Sequence, residues 1–177
     1  MKKELIIKRV FNAPVERVWR AWTDPEEAKK WWGPKGFTAP VVEIDFRVGG
    51  KYLYCMRGAA TSGGKEQDFW STGVYQEITP LEKIIVIDSF SDEKGNVVPA
   101  THYGMSADFP REMKVVEIFE AQGDMTKFTL RHKGFPANDI EGARAGWNSS
   151  LDKLAESLEG QKERAGVTFE SFTSEEK

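Results

Sequence analysis

Few side chains in this sequence are of the types that act as catalytic groups or metal ligands, and they lie far apart along the chain. His132 shares strand parity with Phe128 and Leu130, so it should face the interior. An imidazole there can bond a ligand, act as a general base or serve only as a satisfied structural residue. His102 lies beside Tyr103 in a predicted loop, where solvent exposure explains it best. Two distant histidines and one cysteine give no metal-ligand spacing, so we predict no metal and no cofactor.

The other polar groups form no recognisable catalytic motif. Glu43 and Asp45 alternate with Val42 and Ile44, which predicts a solvated face for both carboxylates. Cys55 alternates away from the inward face of its strand and is predicted to be structural, not a nucleophile. A cyclase or hydrolase would need a buried carboxylate or histidine with a polar relay, and no motif specifies one. We therefore predict no catalytic residue.

Aromatic side chains provide the strongest candidate for a binding site. The 177 residues include six tryptophans and 11 phenylalanines, so the domain has either a bulky core or a cavity lined with rings. The candidate ligand-binding residues share positions predicted to face the interior: Trp31, Trp32, Tyr52, Tyr54, Met56, Phe128, Leu130, His132, Arg144, Trp147 and Leu151. Tyr52, Tyr54 and His132 would hold the polar ends of a ligand. Arg144 would reach an anionic head group or extend to water.

The bulk composition excludes several classes of function. Twenty-five basic and 28 acidic residues give a net charge of −3, without the basic excess of a nucleic-acid or membrane-surface binder. A single cysteine allows no intrachain disulfide and favours a reducing compartment. The N-terminus has no signal-peptide core, and no apolar run approaches the roughly 18 residues of a membrane span. We expect a cytoplasmic protein without a membrane span.

The elements that must position these residues follow from hydrophobic periodicity. Helical spacing after Pro14 predicts one helix, and Asp24-Pro25 opens a second, short one that ends at Trp31. Strands are predicted over residues 3–12, 38–46, 51–57, 67–78, 84–87, 112–121 and 125–132. The strand at 84–87 is apolar throughout and is expected to be buried on both faces. The long connection over residues 91–110 is typical of a loop that serves a site or is mobile.

A long C-terminal helix is the clearest element. Its apolar stripe, interrupted only by the arginine, consists of Ile140, Arg144, Trp147, Leu151, Leu154 and Leu158. Gly142 and Gly146 weaken this helix. They either permit close packing, leave room beside a ligand or let this segment open as a gate. Gly160 is expected to end it. The domain then spans residues 1–160, and residues 161–177 form a charged, loose tail in which Val167, Phe169 and Phe172 could dock.

Several short motifs together resemble the START-like (SRPBCC) superfamily. They are Phe11-Asn12-Ala13-Pro14, Ala21-Trp22-Thr23-Asp24-Pro25, Trp31-Trp32-Gly33-Pro34, Arg47-Val48-Gly49-Gly50, Gly146-Trp147 and Leu151-Asp152-Lys153-Leu154. Their order and spacing over residues 5–159 resemble the branch named after the activator of the large heat-shock chaperone's ATPase. The resemblance implies an α+β helix-grip fold, in which a curved antiparallel sheet of six to seven strands surrounds the long C-terminal helix and encloses a cavity.

Three functional hypotheses follow from this resemblance. The first is non-catalytic binding of a small apolar or amphipathic molecule, held mainly by burial of apolar surface. The second is an enzyme of the polyketide cyclase, dehydratase or hydrolase type that uses the same cavity. The third is activation of a chaperone ATPase, although the chain lacks the separate N-terminal chaperone-binding domain of the co-chaperone. The ligand and the oligomeric state stay open at this point.

Overall fold

Seven strands and three helices make up the residues that the structure describes. The computed structural model describes the backbone of residues 1–174 and the side chains of residues 1–161. The strands are β1 (Lys2–Phe11), β2 (Thr38–Ile44), β3 (Lys51–Ala59), β4 (Glu66–Thr79), β5 (Lys83–Ser91), β6 (Met113–Gln122) and β7 (Met125–Pro136). The helices are α1 (Val15–Thr23), α2 (Pro25–Ala28) and α3 (Ile140–Ser174), with a 3-10 helix at Ala100–Tyr103.

The strands form one antiparallel sheet in the order β1-β7-β6-β5-β4-β3-β2. Strands that follow one another along the chain are neighbours from β2 to β7, while β1 pairs with β7 at the far edge. The two short helices connect the opposite edges β1 and β2, and α3 covers the inward face of the sheet. The predicted α+β architecture, with its strand count and two short helices, is confirmed.

The short helices form where local chemistry favours them. Pro14 precedes α1 with a φ of −65°, the value that a proline ring fixes and that suits a helix entry. Val15, Val18 and Trp22 then fall on one face and are buried. At the start of α2, the Asp24 carboxylate accepts a hydrogen bond from the Glu26 amide at 2.9 Å, which satisfies one otherwise unpaired donor.

Two predictions about individual elements are wrong. Only one face of β5 is fully buried, because Ile85 and Ile87 on the outward face are half-buried. An antiparallel sheet can leave one face to water. Nor does α3 end at Gly160, since its backbone continues to Ser174. One interior glycine costs only about 1 kcal/mol, and the Gln, Lys, Glu, Arg and Ala residues that follow it favour helix.

Part of the sequence-based prediction falls beyond the described side chains. The predicted docking of Val167, Phe169 and Phe172 lies outside the described residues, as does all but the first side chain of the predicted charged tail over 161–177.

Polar contacts fix α3 against both edges of the interior. On one side, Arg9 of β1 donates to the Asp152 carboxylate at 2.7 Å. On the other, Lys153 donates to the carbonyl oxygens of Gly33 and Phe37 at 2.9 and 3.0 Å. The loop before β2 is therefore tied to the helix. Because Lys153 is part-buried and meets two acceptors at once, this contact contributes more than an exposed ion pair would.

Candidate functional site

A cavity of about 400 Å³ lies between the inward face of the sheet and the N-terminal half of α3. We call it the outer chamber. It is lined by Trp32, Gly33, Pro34, Met56, Asp88, Ser89, Phe90, Met105, Phe109, Pro110, Met113, His132, Phe135, Asp139, Gly142, Ala143, Gly146, Trp147 and Ser150. Most of these side chains are apolar, and the volume falls within the range of small-molecule sites. Three of the lining residues come from the long connection between β5 and β6, as expected of a loop that serves a site.

The helix glycines create part of this space. A Cβ atom placed on Gly142 or Gly146 would meet nothing within 4 Å. Of the roles predicted for these glycines, close packing is therefore wrong. Both glycines line the outer chamber.

A second, smaller cavity of about 40 Å³ continues inward from the outer chamber. We call it the inner chamber. It is lined by Trp22, Trp32, Tyr52, Tyr54, Tyr75, Ile84, Val86, Asp88, Val115, Glu117 and Trp147. Trp32, Asp88 and Trp147 line both chambers, so they form the boundary between them. Its volume suits a few waters or a small polar group.

The register of three neighbouring strands brings Asp88 into contact with Tyr52. Tyr52 on β3 pairs with Gly73 on β4, and Gly73 pairs with Asp88 on β5. The Tyr52 ring crosses the glycine so closely that a Cβ there would lie 2.3 Å from it. The Tyr52 hydroxyl then donates a hydrogen bond to the Asp88 carboxylate. Burial raises the pKa of Asp88 to about 7, although the Tyr52 hydrogen bond opposes this shift.

Glu117 is the second acidic group of the inner chamber. Its side chain is buried, with 7% of the residue exposed. Among the described residues, no hydrogen bond or ion pair reaches its carboxyl group. Burial, and then the charge of Asp88, raise the pKa of Glu117 to about 8. A carboxyl group this buried without a partner is costly, which marks it as a functional candidate.

His132 lies in the wall of the outer chamber beneath α3. Its Nδ1 accepts a hydrogen bond from the Trp147 indole nitrogen at 3.1 Å. Nε2 must then carry the proton of the neutral ring, and it is buried with no partner among the described residues. Burial lowers the pKa of His132 to about 3, so the ring is neutral at physiological pH. The hydrogen bond fixes the Trp147 ring at the boundary between the chambers.

Six of the predicted site residues border the two chambers. Trp32, Met56, His132 and Trp147 line the outer chamber, and Trp32, Tyr52, Tyr54 and Trp147 line the inner one. In the segment that follows α2, Trp31 is fully buried and Lys35 is exposed.

The other five predicted residues line neither chamber. Trp31, Phe128, Leu130 and Leu151 are at most 1% exposed and pack into the solid core. Arg144 points towards β1 instead, where it donates to the Ile6 carbonyl oxygen at 3.1 Å and pairs with Glu141 at 3.3 Å. Its guanidinium extends to the outside of the helix, the second of the two roles predicted for it.

Asp88 and Glu117 were not among the predicted site residues, yet a signal for both is present in the sequence. Asp88 shares strand parity with Ile84 and Val86, and Glu117 shares it with Val115. A carboxylate that alternates in step with buried apolar residues of its strand lies on the same buried face. Because the apolar run at 84–87 predicts burial on both faces, it gives no indication of which face the following aspartate occupies.

Among the described residues, no group of three or more His, Cys, Asp or Glu side chains is arranged to hold a metal ion. In the same part of the chain, no helix is both long and apolar enough to cross a membrane.

Comparison with known proteins identifies the fold and a family. The family model described as "Activator of Hsp90 ATPase homolog 1-like protein" matches residues 12–159. A protein from Chromobacterium violaceum is 30% identical, with a TM-score of 0.68 over 89% of this chain and 98% of that one. The AHSA1 protein from Silicibacter pomeroyi is 22% identical, with the same TM-score over 90% and 99% of the two chains. No curated protein matches the sequence. The predicted helix-grip fold is confirmed.

Proposed function

This chain belongs to the family of proteins like activator of Hsp90 ATPase homolog 1, and we propose that it binds a small amphipathic molecule without transforming it. The observation that carries the proposal is the outer chamber of about 400 Å³, with its apolar walls and its acidic inner end. Burial of apolar surface at roughly 25 cal/mol per Å² would supply most of the affinity.

The chemistry of the walls supports an amphipathic ligand. Phe90, Phe109, Met113 and Phe135 line the outer chamber and suit an apolar body. Asp88 lies on the boundary with the inner chamber and suits a polar group. Among the described residues, no lysine or arginine lines either chamber, which argues against an anionic head group.

A fluorescence titration tests binding in the outer chamber. The uncharged probe N-phenyl-1-naphthylamine should bind saturably, and octanol should displace it. Quenching or a spectral shift of Trp32 and Trp147, which line the chamber, would report the same event. The variant Gly146→Leu should weaken probe binding, because position 146 lines the chamber and nothing within 4 Å holds its Cβ away from that space.

Gly160→Leu is the matched control for this titration. It makes the same substitution in the same helix, and its Cβ also meets nothing within 4 Å, but Gly160 lines neither chamber. It should bind the probe as the unmodified chain does. Equal binding by both variants, or no saturable binding by the unmodified chain, would overturn the proposal.

A catalytic role is the second candidate, and the Tyr52–Asp88 hydrogen bond favours it. Asp88 has a pKa of about 7 and lines both chambers, so it could donate or accept a proton in a cyclase- or dehydratase-type reaction. Turnover that is lost in Asp88→Asn while binding of the probe persists would replace the first proposal with this one. Activation of a chaperone ATPase stays a prediction from the resemblance.

A further inference from the structure

The inner chamber combines aromatic faces with acidic groups. Among the described residues, six aromatic side chains and two carboxyl groups line it. The ring centroids of Trp32 and Tyr54 lie 4.4 Å apart, and those of Trp32 and Trp147 lie 5.7 Å apart. Faces of tryptophan and tyrosine rings attract cations, most strongly where water is excluded.

The carboxyl groups of this chamber have no basic partner among the described residues. The described contacts of Asp88 include the Tyr52 hydroxyl but no cation, and Glu117 has no hydrogen-bond partner in the described part of the chain. A neutral ligand would bring no counter-charge for their ionised forms, and an anion would be repelled by those forms. An ammonium group would pair with both, since its N–H groups donate to carboxylate oxygens.

We infer that the ligand carries a protonated amine, which enters the inner chamber between Asp88 and Glu117 while its apolar body fills the outer chamber. A chamber of about 40 Å³ suits an ammonium group better than a bulky head group. The inference rests on the proposed function, because the apolar body needs the outer chamber.

Amine binding should release protons from the chain. Burial raises the pKa of Asp88 to about 7 and that of Glu117 to about 8, so both groups bind protons near neutral pH, and a bound cation would favour their ionised forms. The titratable groups that face the chambers are Asp88 of β5, Glu117 of β6, Tyr52 and Tyr54 of β3, Tyr75 of β4, His132 of β7 and Asp139 before α3. The tyrosines and the neutral histidine stay uncharged over this range, so affinity for an amine should rise between about pH 6 and about pH 8.

Octylamine and octanol form a matched pair of probes that tests the inference. Both should displace N-phenyl-1-naphthylamine from the unmodified chain. At pH 8, octylamine should bind at least about tenfold more tightly than octanol, because it gains charge-assisted hydrogen bonds. Its affinity should increase with pH, while that of octanol should not change. This measurement needs no variant, so it does not depend on whether a substituted chain folds.

Glu117→Gln identifies the acidic group responsible. It should weaken octylamine binding by about tenfold and leave octanol binding unchanged. Glu43→Gln, which makes the same substitution at an exposed position, should change neither. Equal affinities for octylamine and octanol, or an equal loss of both in Glu117→Gln, would overturn the inference alone. Failure of octanol and octylamine to bind at all would overturn the proposed function with it.

Discussion

Residues 140–158 of α3 fall into two halves that cover the same sheet but produce different interiors. In the second half, Leu151, Leu154 and Leu158 are at most 2% exposed and pack into the core. In the first half, Gly142 and Gly146 offer no side chain and line the outer chamber. We call these regions the packed half and the hollow half.

Aromatic rings fill the core beside the inner chamber. Trp22 of α1, which lines that chamber, lies with its ring centroid 4.6 Å from that of Trp31 and 5.0 Å from that of Phe128. Trp147 lies at the boundary between the two chambers, with its ring centroid 6.2 Å from that of Trp22, and is hydrogen-bonded to His132.

The largest expected effect is a loss of stability in the packed half. Leu154→Ala should lower the free energy of unfolding by about 2–5 kcal/mol, because it removes a fully buried side chain from close packing. Denaturant unfolding measures the change. Binding of N-phenyl-1-naphthylamine by the folded fraction should be unaltered. A loss below about 1 kcal/mol would mean that the packed half tolerates voids as the hollow half does, and the contrast would fail.

Sequence patterns predict the packed half better than the hollow half, for a physical reason. The leucine stripe of α3 and the parity of Phe128 and Leu130 specify buried positions, and all of them are buried. A cavity forms where no side chain fills the interior, and hydrophobic periodicity does not reveal such a place. Gly142 and Gly146 predict room beside a ligand, but only as one of several alternative roles.

Other features of the site depend on distances that no local pattern contains. Tyr52 reaches Asp88 because Gly73 lies between them in the register of three strands, more than ten residues from either. Arg144 interrupts the apolar stripe, which predicts that it either reaches a ligand or extends to water. It lies near the edge of that stripe, where the Ile6 carbonyl of the neighbouring strand accepts its hydrogen bond.

The second-largest effect is a pH dependence of stability that arises in the hollow half and not in the packed half. Because the pKa of Glu117 is raised from 4.5 to about 8, the folded chain binds its proton more tightly than the unfolded chain does. Its contribution to stability is full below about pH 4.5 and is lost as pH rises towards about 8. The free energy of unfolding should therefore fall between pH 5 and pH 8 in the unmodified chain. In Glu117→Gln this fall should be smaller by up to about 4 kcal/mol.

Two control variants check the origin of this pH dependence. Leu154→Ala should shift the free energy of unfolding by the same amount at both pH values, since it removes no ionisable group. Glu43→Gln, at an exposed position, should keep the slope of the unmodified chain. If Glu117→Gln also kept that slope, the acidic character of the hollow half would be refuted. Asp88 still titrates in the Glu117→Gln chain and gives it a residual slope of the same sign.

The smallest expected effect uses one substitution at two glycines. Gly146→Ala should raise the free energy of unfolding by up to about 1 kcal/mol, because alanine favours the helix and the new Cβ meets nothing. Gly73→Ala should lower it, because the Cβ would lie 2.3 Å from the Tyr52 ring and force it away from Asp88. Thermal and denaturant unfolding measure both. Destabilisation by Gly146→Ala would mean that the hollow half is closed to even one added methyl group, so that the helix glycines serve close packing after all.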